Sequence, residues 1–213
     1  MRLDHVSYAV SNIDLSSTVQ RIGSLLNTAF EDGGIHPEFG TRNFICPLLN
    51  GQYIEVVCPL EHPATDLTPF GRAVKQKALQ GGGWLSWVMA VEDIKQIEEQ
   101  LGRNAAKGHR VKPDKTELTW LQIGVLNLFK NPQLPFFIKW ISGNHPSSSQ
   151  KSNSAIKQVN LIGQKNVFMS KIKFDLDSVT QINLLEISDT ENLENTGIKS
   201  VVFEVGSRLI EID

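Results

Sequence analysis

The chain opens on a short alternating segment, Leu3 to Val10 (LDHVSYAV), and returns to the same pattern at Trp84 to Val91 (WLSWVMAV). Each copy runs directly into a stretch whose apolar residues recur at helical spacing. A repeated unit beginning strand-then-helix is therefore the main constraint on the fold. The copies differ in one respect that bears on chemistry: the first carries His5 where the second carries Ser86. An imidazole is a good metal ligand and a neutral hydroxyl a poor one, so the two copies cannot contribute equally to a metal centre.

After the first strand, Asn12, Asp14 or Ser16 can cap a helix running to about Phe30, with Val19, Ile22, Leu25 and Leu26 on one face. Gly33 and Gly34 are expected to break it. Three strands should follow, Ile35 to Phe39, Thr41 to Leu48 and Gln52 to Cys58, the last two joined by the turn signal Asn50-Gly51. Residues Glu61 to Gly83 form a linker in which Thr68-Pro69 starts one helix through Ala78. The second unit repeats the plan, with a strand over Trp84 to Val91 and a helix over Asp93 to Leu101. Its strands lie near Arg110, over Leu118 to Leu128 and over Pro135 to Ile141, with Asn131-Pro132 marking the last hairpin.

The serine-rich run Asn144 to Ser154 reads as a flexible connection. Beyond it, four strand-like segments (Ile156 to Ile162, Ile182 to Ile187, Ser200 to Val205, Leu209 to Ile212) and a weak helix over Val167 to Phe174 suggest a shortened third copy. The expected class is α+β. Paired βαβββ modules span residues 1–60 and 82–146, joined by a helical linker. A partial module over 155–213 packs on them or pairs with another chain.

Strand alternation puts His5, Ser7 and Ala9 on one face, and in the unit's last strand Tyr53, Glu55 and Val57 share a face. The bulkier apolar faces should lie under the helix, so His5 and Glu55 point to the open side of the sheet. Thr41 and Asn43 share a strand face and offer a hydroxyl and an amide. His36 sits in a turn-like Gly-Gly-Ile-His-Pro run, and His62, His109 and His145 are expected in exposed loops. Among the four tryptophans, alternation places Trp87 in the core and Trp84 beside Ser86. Trp84, and with it Trp120, would then offer an apolar ring with an N–H handle to a flat ligand.

With 213 residues, 40% hydrophobic and 21% charged, the chain can bury a sizeable core without staples, and Cys46 and Cys58 read as buried thiols. A net charge of −2 without a basic run argues against nucleic acid as a partner. No apolar run is long enough for a membrane span, and the charged N-terminal segment is unlike a signal peptide, so a cytoplasmic protein is expected. There is no GxSxG elbow, P-loop, GxGxxG after a strand or HExxH. The triple glycine Gly81 to Gly83 precedes a strand, so no helix N-terminus supports phosphate binding there.

Five pieces in order, LDHVSYAV, GIHPEFGTRN (Gly34 to Asn43), GQYIEVV (Gly51 to Val57), Trp120 followed by LPFFIKW (Leu134 to Trp140), and His145-Pro146, together resemble the vicinal oxygen chelate superfamily. Within it, the likeness is to the glyoxalase-like domain family, over roughly Leu3 to Pro146. The resemblance implies two modules curled side by side into a cupped mixed sheet. In enzymatic members a metal sits at its centre, with one ligand from the first and one from the last strand of each module. His5 and Glu55 match in the first module. In the second, Ser86 falls opposite His5, and Lys139 falls near the position matching Glu55.

Two functions follow from that half-matched set. In one, a divalent metal ion on His5 and Glu55, with His36 as a third ligand, serves lyase, isomerase or dioxygenase-type chemistry at a degenerate metal site. In the other, the cup binds or sequesters a small molecule without metal. Glu55 and Lys139 then form an ion pair or an acid/base pair, and His36, Thr41, Asn43, Trp84, Ser86 and Trp120 supply ligand contacts. The implied partner is a small molecule; the sequence leaves a homodimer open and does not fix the oligomeric state.

Overall fold

The structure, a computed structural model, describes residues 1–111, 115–128, 130–141, 145–148, 152–188 and 195–213. Of the serine-rich connection, residues 144 and 149–151 lie outside the described residues.

The first module runs β1 (Arg2–Ala9), α1 (Leu15–Leu26), β2 (Glu31–His36), β3 (Thr41–Pro47) and β4 (Tyr53–Pro59). The second runs β5 (Gly83–Ala90), α4 (Ile94–Leu101), β6 (Ala106–Val111), β7 (Glu117–Ile123) and β8 (Phe136–Trp140), after a linker containing α2 (Pro63–Leu67) and α3 (Pro69–Leu79). Their strands form one eight-stranded mixed sheet in the order β2-β3-β4-β1-β5-β8-β7-β6. In each half the first strand pairs parallel with the last, and the halves meet where β1 and β5 run antiparallel. The outer strands β2 and β6 approach each other, so the sheet curls into a nearly closed cup. The C-terminal module adds β9 (Ser154–Gly163), α5 (Lys165–Ile172), β10 (Ile182–Glu186), β11 (Gly197–Val205) and β12 (Arg208–Ile212), a four-stranded sheet in the order β10-β9-β11-β12.

Local signals account for the helices. Buried Leu15, Thr18, Ile22 and Leu26 give α1 its inner stripe, and Asn27 in the left-handed conformation ends it. Thr68 caps α3 by accepting the Gly71 N–H at 3.2 Å, and Pro69 occupies the first helical position. The Gly33-Gly34 pair lies inside β2 instead of terminating a long first helix. A Cβ on Gly33 would stand 2.0 Å from Asn43 Oδ1, so this glycine makes room for a polar side chain on the neighbouring strand.

Two apolar layers follow. The convex face of the cup, its helices α1 and α4, and the inner face of the C-terminal sheet share one continuous core that includes Leu3, Ile22, Trp87, Phe168, Val201 and Phe203. The concave face has its own core, into which the linker inserts: Phe70, Ala73 and Val74 of α3 pack against Ala9, Val57, Val88 and Phe136. Thus the linker helix plugs part of the cup and leaves a smaller cavity beside it.

Candidate functional site

The antiparallel β1/β5 pair carries two bulges. Leu3 opposes Met89 and His5 opposes Val88, leaving Asp4 as the extra residue. Ser7 opposes Ser86 and Tyr8 opposes Trp84, leaving Leu85 extra. A bulge switches the side on which the following residues point. It turns Trp84 away from Ser86 and into the convex core, where its ring lies 5.0 Å from Tyr8 and its Nε1–H donates to Ile212 O at 2.9 Å. Trp84 is therefore not part of the cup wall; it anchors the last strand of the C-terminal sheet.

A second correction concerns the match to Glu55. The Val10 N–H donates to Val57 O, and the Val91 N–H donates to Ile138 O, both at 2.9 Å. Superposing these bonds equates Val57 with Ile138 and therefore Glu55 with Phe136. Lys139 stands three residues away from the true counterpart, on the strand face opposite Phe136, Ile138 and Trp140, which line the cavity. No Glu55–Lys139 pair forms. Ser86 is the counterpart of His5 as expected; it is fully buried, and its Oγ has no partner.

The cavity is small, about 40 Å³, and is lined by His5, His36, Asn43, Glu55, Arg110 and a ring of aromatic side chains that includes Trp120. Glu55, 7% exposed, accepts a hydrogen bond from Ser7 Oγ at 2.7 Å and one from Asn43 Nδ2 at 2.5 Å. The other end of the Asn43 amide accepts from Arg110 Nη1 at 3.0 Å. The same Nη1 lies 3.1 Å from His36 Nε2. Since a guanidinium only donates, His36 must accept through Nε2 and carry its proton on Nδ1. A buried relay Glu55–Asn43–Arg110–His36 thus joins strands β4, β3, β6 and β2 across the gap where the cup almost closes.

Charge states follow from the same contacts. Burial alone would raise the Glu55 carboxyl, but the nearby imidazoles of His5 and His36 and the hydrogen bonds from Ser7 and Asn43 outweigh it and hold Glu55 below its ordinary value. Burial, reinforced by the Arg110 guanidinium, pushes His36 down to about 4, so it is neutral near pH 7. Arg110 is only 4% exposed, and its Nε has no partner.

His5 forms the other wall. Its Nδ1 lies 3.0 Å from Asp4 Oδ2, and its ring stacks on Tyr53 with centroids 4.3 Å apart. Asp4 is fully buried and also accepts from Arg2 at 3.1 Å, from Trp140 Nε1 at 3.2 Å and from His145 Nε2 at 2.9 Å. Burial would raise its carboxyl, but the hydrogen bonds from His145 and His5 dominate and keep it well below the usual carboxylate range. An acceptor-only carboxylate fixes the His5 tautomer, with the proton on Nδ1 and Nε2 left for the cavity.

Of the residues singled out from sequence, His5, His36, Asn43, Glu55 and Trp120 line one cavity. Thr41 is buried on the adjoining strand with its Oγ1 unpaired, outside the lining. Sequence reasoning missed Asp4, Ser7, Arg110 and His145. His145 is held by Asp4 instead of lying in an exposed loop, and Arg110 shares a face of β6 with Gly108. A Cβ at Gly108 would meet the Trp120 ring at 2.1 Å, so that small residue flags the inward face of β6.

These residues do not make a divalent-metal centre. Both Glu55 oxygens are already engaged, His36 Nε2 faces a guanidinium, and the second module offers Ser86 and Phe136 in place of His and Glu. Among the described residues no group of three or more His, Cys, Asp or Glu is placed to hold a metal. A buried Arg110 further disfavours a cation.

A cup assembled from two βαβββ halves around a polar centre defines a vicinal oxygen chelate fold. The chain belongs to the glyoxalase-like domain family, whose model matches residues 3–173. No curated protein matches the sequence. Among solved structures, a hypothetical protein from Staphylococcus aureus is similar over 100% of this chain and 85% of its own, with 16% identity and a TM-score of 0.60. The shared fold therefore extends through the C-terminal module. Methylmalonyl-CoA epimerase from Mycobacterium tuberculosis matches 65% of this chain and 86% of its own (15% identity, TM-score 0.42). A Streptomyces coelicolor methylmalonyl-CoA epimerase variant in complex with 2-nitronate-propionyl-CoA matches 68% and 99% (16% identity, TM-score 0.43). No helix among the described residues is long and apolar enough to cross a membrane.

Proposed function

We propose that this protein binds a small organic acid in its cup without a divalent ion. One observation carries the reading: where a metal site needs a second pair of ligands, the second module supplies Ser86 and Phe136, and the first module's carboxylate is tied through Asn43 to the buried guanidinium of Arg110. The Arg110 guanidinium on the cavity wall favours an oxyanion, while Trp120, Trp140 and Phe136 offer apolar surface to the rest of a compact ligand.

A second reading, proton transfer on that ligand, has support of its own. The Asp4–His5 pair leaves Nε2 as a base on the cavity wall, and Arg110 could hold the charge that develops on a carbonyl oxygen when an adjacent C–H is deprotonated.

Calorimetry with 2-oxobutanoate in the presence of EDTA tests the binding reading, alongside elemental analysis of untagged protein. The expected result is binding that survives chelation and is lost in Arg110→Met. Stoichiometric divalent metal that disappears in both His5→Ala and Glu55→Ala would overturn it. Exchange of the 2-oxobutanoate C3 protons in deuterated buffer, faster with the protein than without and abolished by His5→Gln, would establish the second reading.

A further inference from the structure

The cavity in the cup has a neighbour. A groove of about 270 Å³ opens between the start of α3 and the segment after β7, walled by Pro69, Ile123, Val125 and Leu126. Three side chains, Phe39, Phe70 and Gln122, line both spaces, so the partition between them is one side chain thick. Phe39 and Phe70 meet edge to face at 5.8 Å, and Phe70 is 7% exposed, whereas Phe39 and Gln122 are only partly buried, Gln122 accepting from Trp120 Nε1 at 2.9 Å.

The wall of the groove is built for apolar contact. Leu126 stands 54% exposed at its edge, while the polar groups, Arg103 and Asn104, sit toward the chain that leads into β6. Close packing sets the partition: a Cβ on Gly71 would meet Phe39 O at 2.4 Å, and one on Gly40 would meet Thr65 Oγ1 at 2.2 Å. These glycines let α2 and α3 close onto the β2–β3 turn and bring Phe70 against Phe39.

We infer that the ligand of the cup is amphipathic: a 2-oxo acid type of head held by Arg110 and the His5 wall, with an unbranched apolar tail passing Phe39 and Phe70 into the groove. The inference rests on the binding reading above for the head; the tail is argued independently from the shared partition and the apolar wall. Burying a methylene is worth about 0.8 kcal/mol, so each carbon that enters the groove should tighten binding by roughly threefold to fourfold.

Titration calorimetry with 2-oxobutanoate, 2-oxohexanoate and 2-oxooctanoate in EDTA tests it. Wild-type affinity should climb along the series. Ala106→Trp, a substitution at an exposed edge-strand position that fills the groove, and Leu126→Asp should each bring 2-oxooctanoate down towards 2-oxobutanoate while leaving 2-oxobutanoate unchanged. If the short acid binds and affinity does not depend on chain length, or the two variants retain the length dependence, the tail inference falls and the cup reading stands. If no acid of the series binds, both fall together.

Discussion

The two halves of the cup share a backbone plan and differ in what they put at its centre. In the first half, Asp4 bulges out of β1 to orient His5, while Ser7 and Asn43 hold Glu55. In the second half, the equivalent bulge residue is Leu85, His5 is replaced by Ser86 and Glu55 by Phe136. The first half holds the carboxylates and imidazoles of the cluster, whereas the second half adds Arg110 and Gln122 to an otherwise mostly apolar wall and leaves the Ser86 hydroxyl unpaired. Duplicated scaffolding can thus preserve strand pairing and bulge position while only one copy retains chemistry, because backbone hydrogen bonds fix the pairing whatever side chains it carries.

The comparison is broken most severely at Asp4. Asp4→Ala would strand the buried donor of His5 and the half-buried donors of Trp140 and His145, and should destabilise the protein by about 3–5 kcal/mol in urea unfolding. A loss under 1 kcal/mol would mean that the polar cluster is not what organises the first half.

A matched pair sharpens the contrast. Ser7 and Ser86 are cross-strand neighbours in the β1/β5 pair, yet Ser7 donates to a carboxylate and the Ser86 hydroxyl has no partner. Ser7→Ala should cost about 1.5–3 kcal/mol, whereas Ser86→Ala should be neutral or slightly stabilising. Equal effects would remove the asymmetry from the centre of the cup.

Next in size is a pH effect. His36 is held at about 4 in the folded protein against 6.5 for the free side chain, so between those values the unfolded chain binds more protons. The stability from neutral His36 is fully present above about pH 6.5 and is lost as pH falls towards 4, with a slope of at most about 1.4 kcal/mol per pH unit. His36→Gln should flatten this part of the stability curve relative to wild type; a curve with unchanged slope would show that His36 does not titrate as its contacts with Arg110 require.

The smallest effects belong to the residues that sequence alignment drew towards the site and the structure places elsewhere. Lys139→Met should change stability by less than about 0.5 kcal/mol and leave binding of 2-oxobutanoate unaltered. Trp84→Phe should loosen the C-terminal sheet by about 1 kcal/mol through loss of its bond to Ile212 O, again without touching the cup. Impaired binding in either variant would return that residue to the site.

Much of the architecture was legible in the chain itself. The repeated opening segments, the Thr68-Pro69 helix start and the Asn50-Gly51 turn specify modules and linker, because period, caps and turns are local chemistry. Alternation along β1 and β4 correctly put His5 and Glu55 on the same open face. What alternation cannot register is an extra residue: a bulge at Leu85 reverses the facing of Trp84, and a bulge is defined by the partner strand, not by the strand's own sequence. The assignment of Lys139 failed for a related reason, since the equivalence of β4 and β8 is set by the matched bonds Val10 to Val57 and Val91 to Ile138.

Sequence by itself determined the α+β modules, their order and the asymmetry between His5 and Ser86. Tertiary structure alone decided that Arg110, distant in the chain, closes a relay with Asn43 and Glu55, that Asp4 gathers His5 and His145, and that the linker helix plugs part of the cup. These are contacts between segments far apart in sequence, and their geometry exists only once both cores have packed.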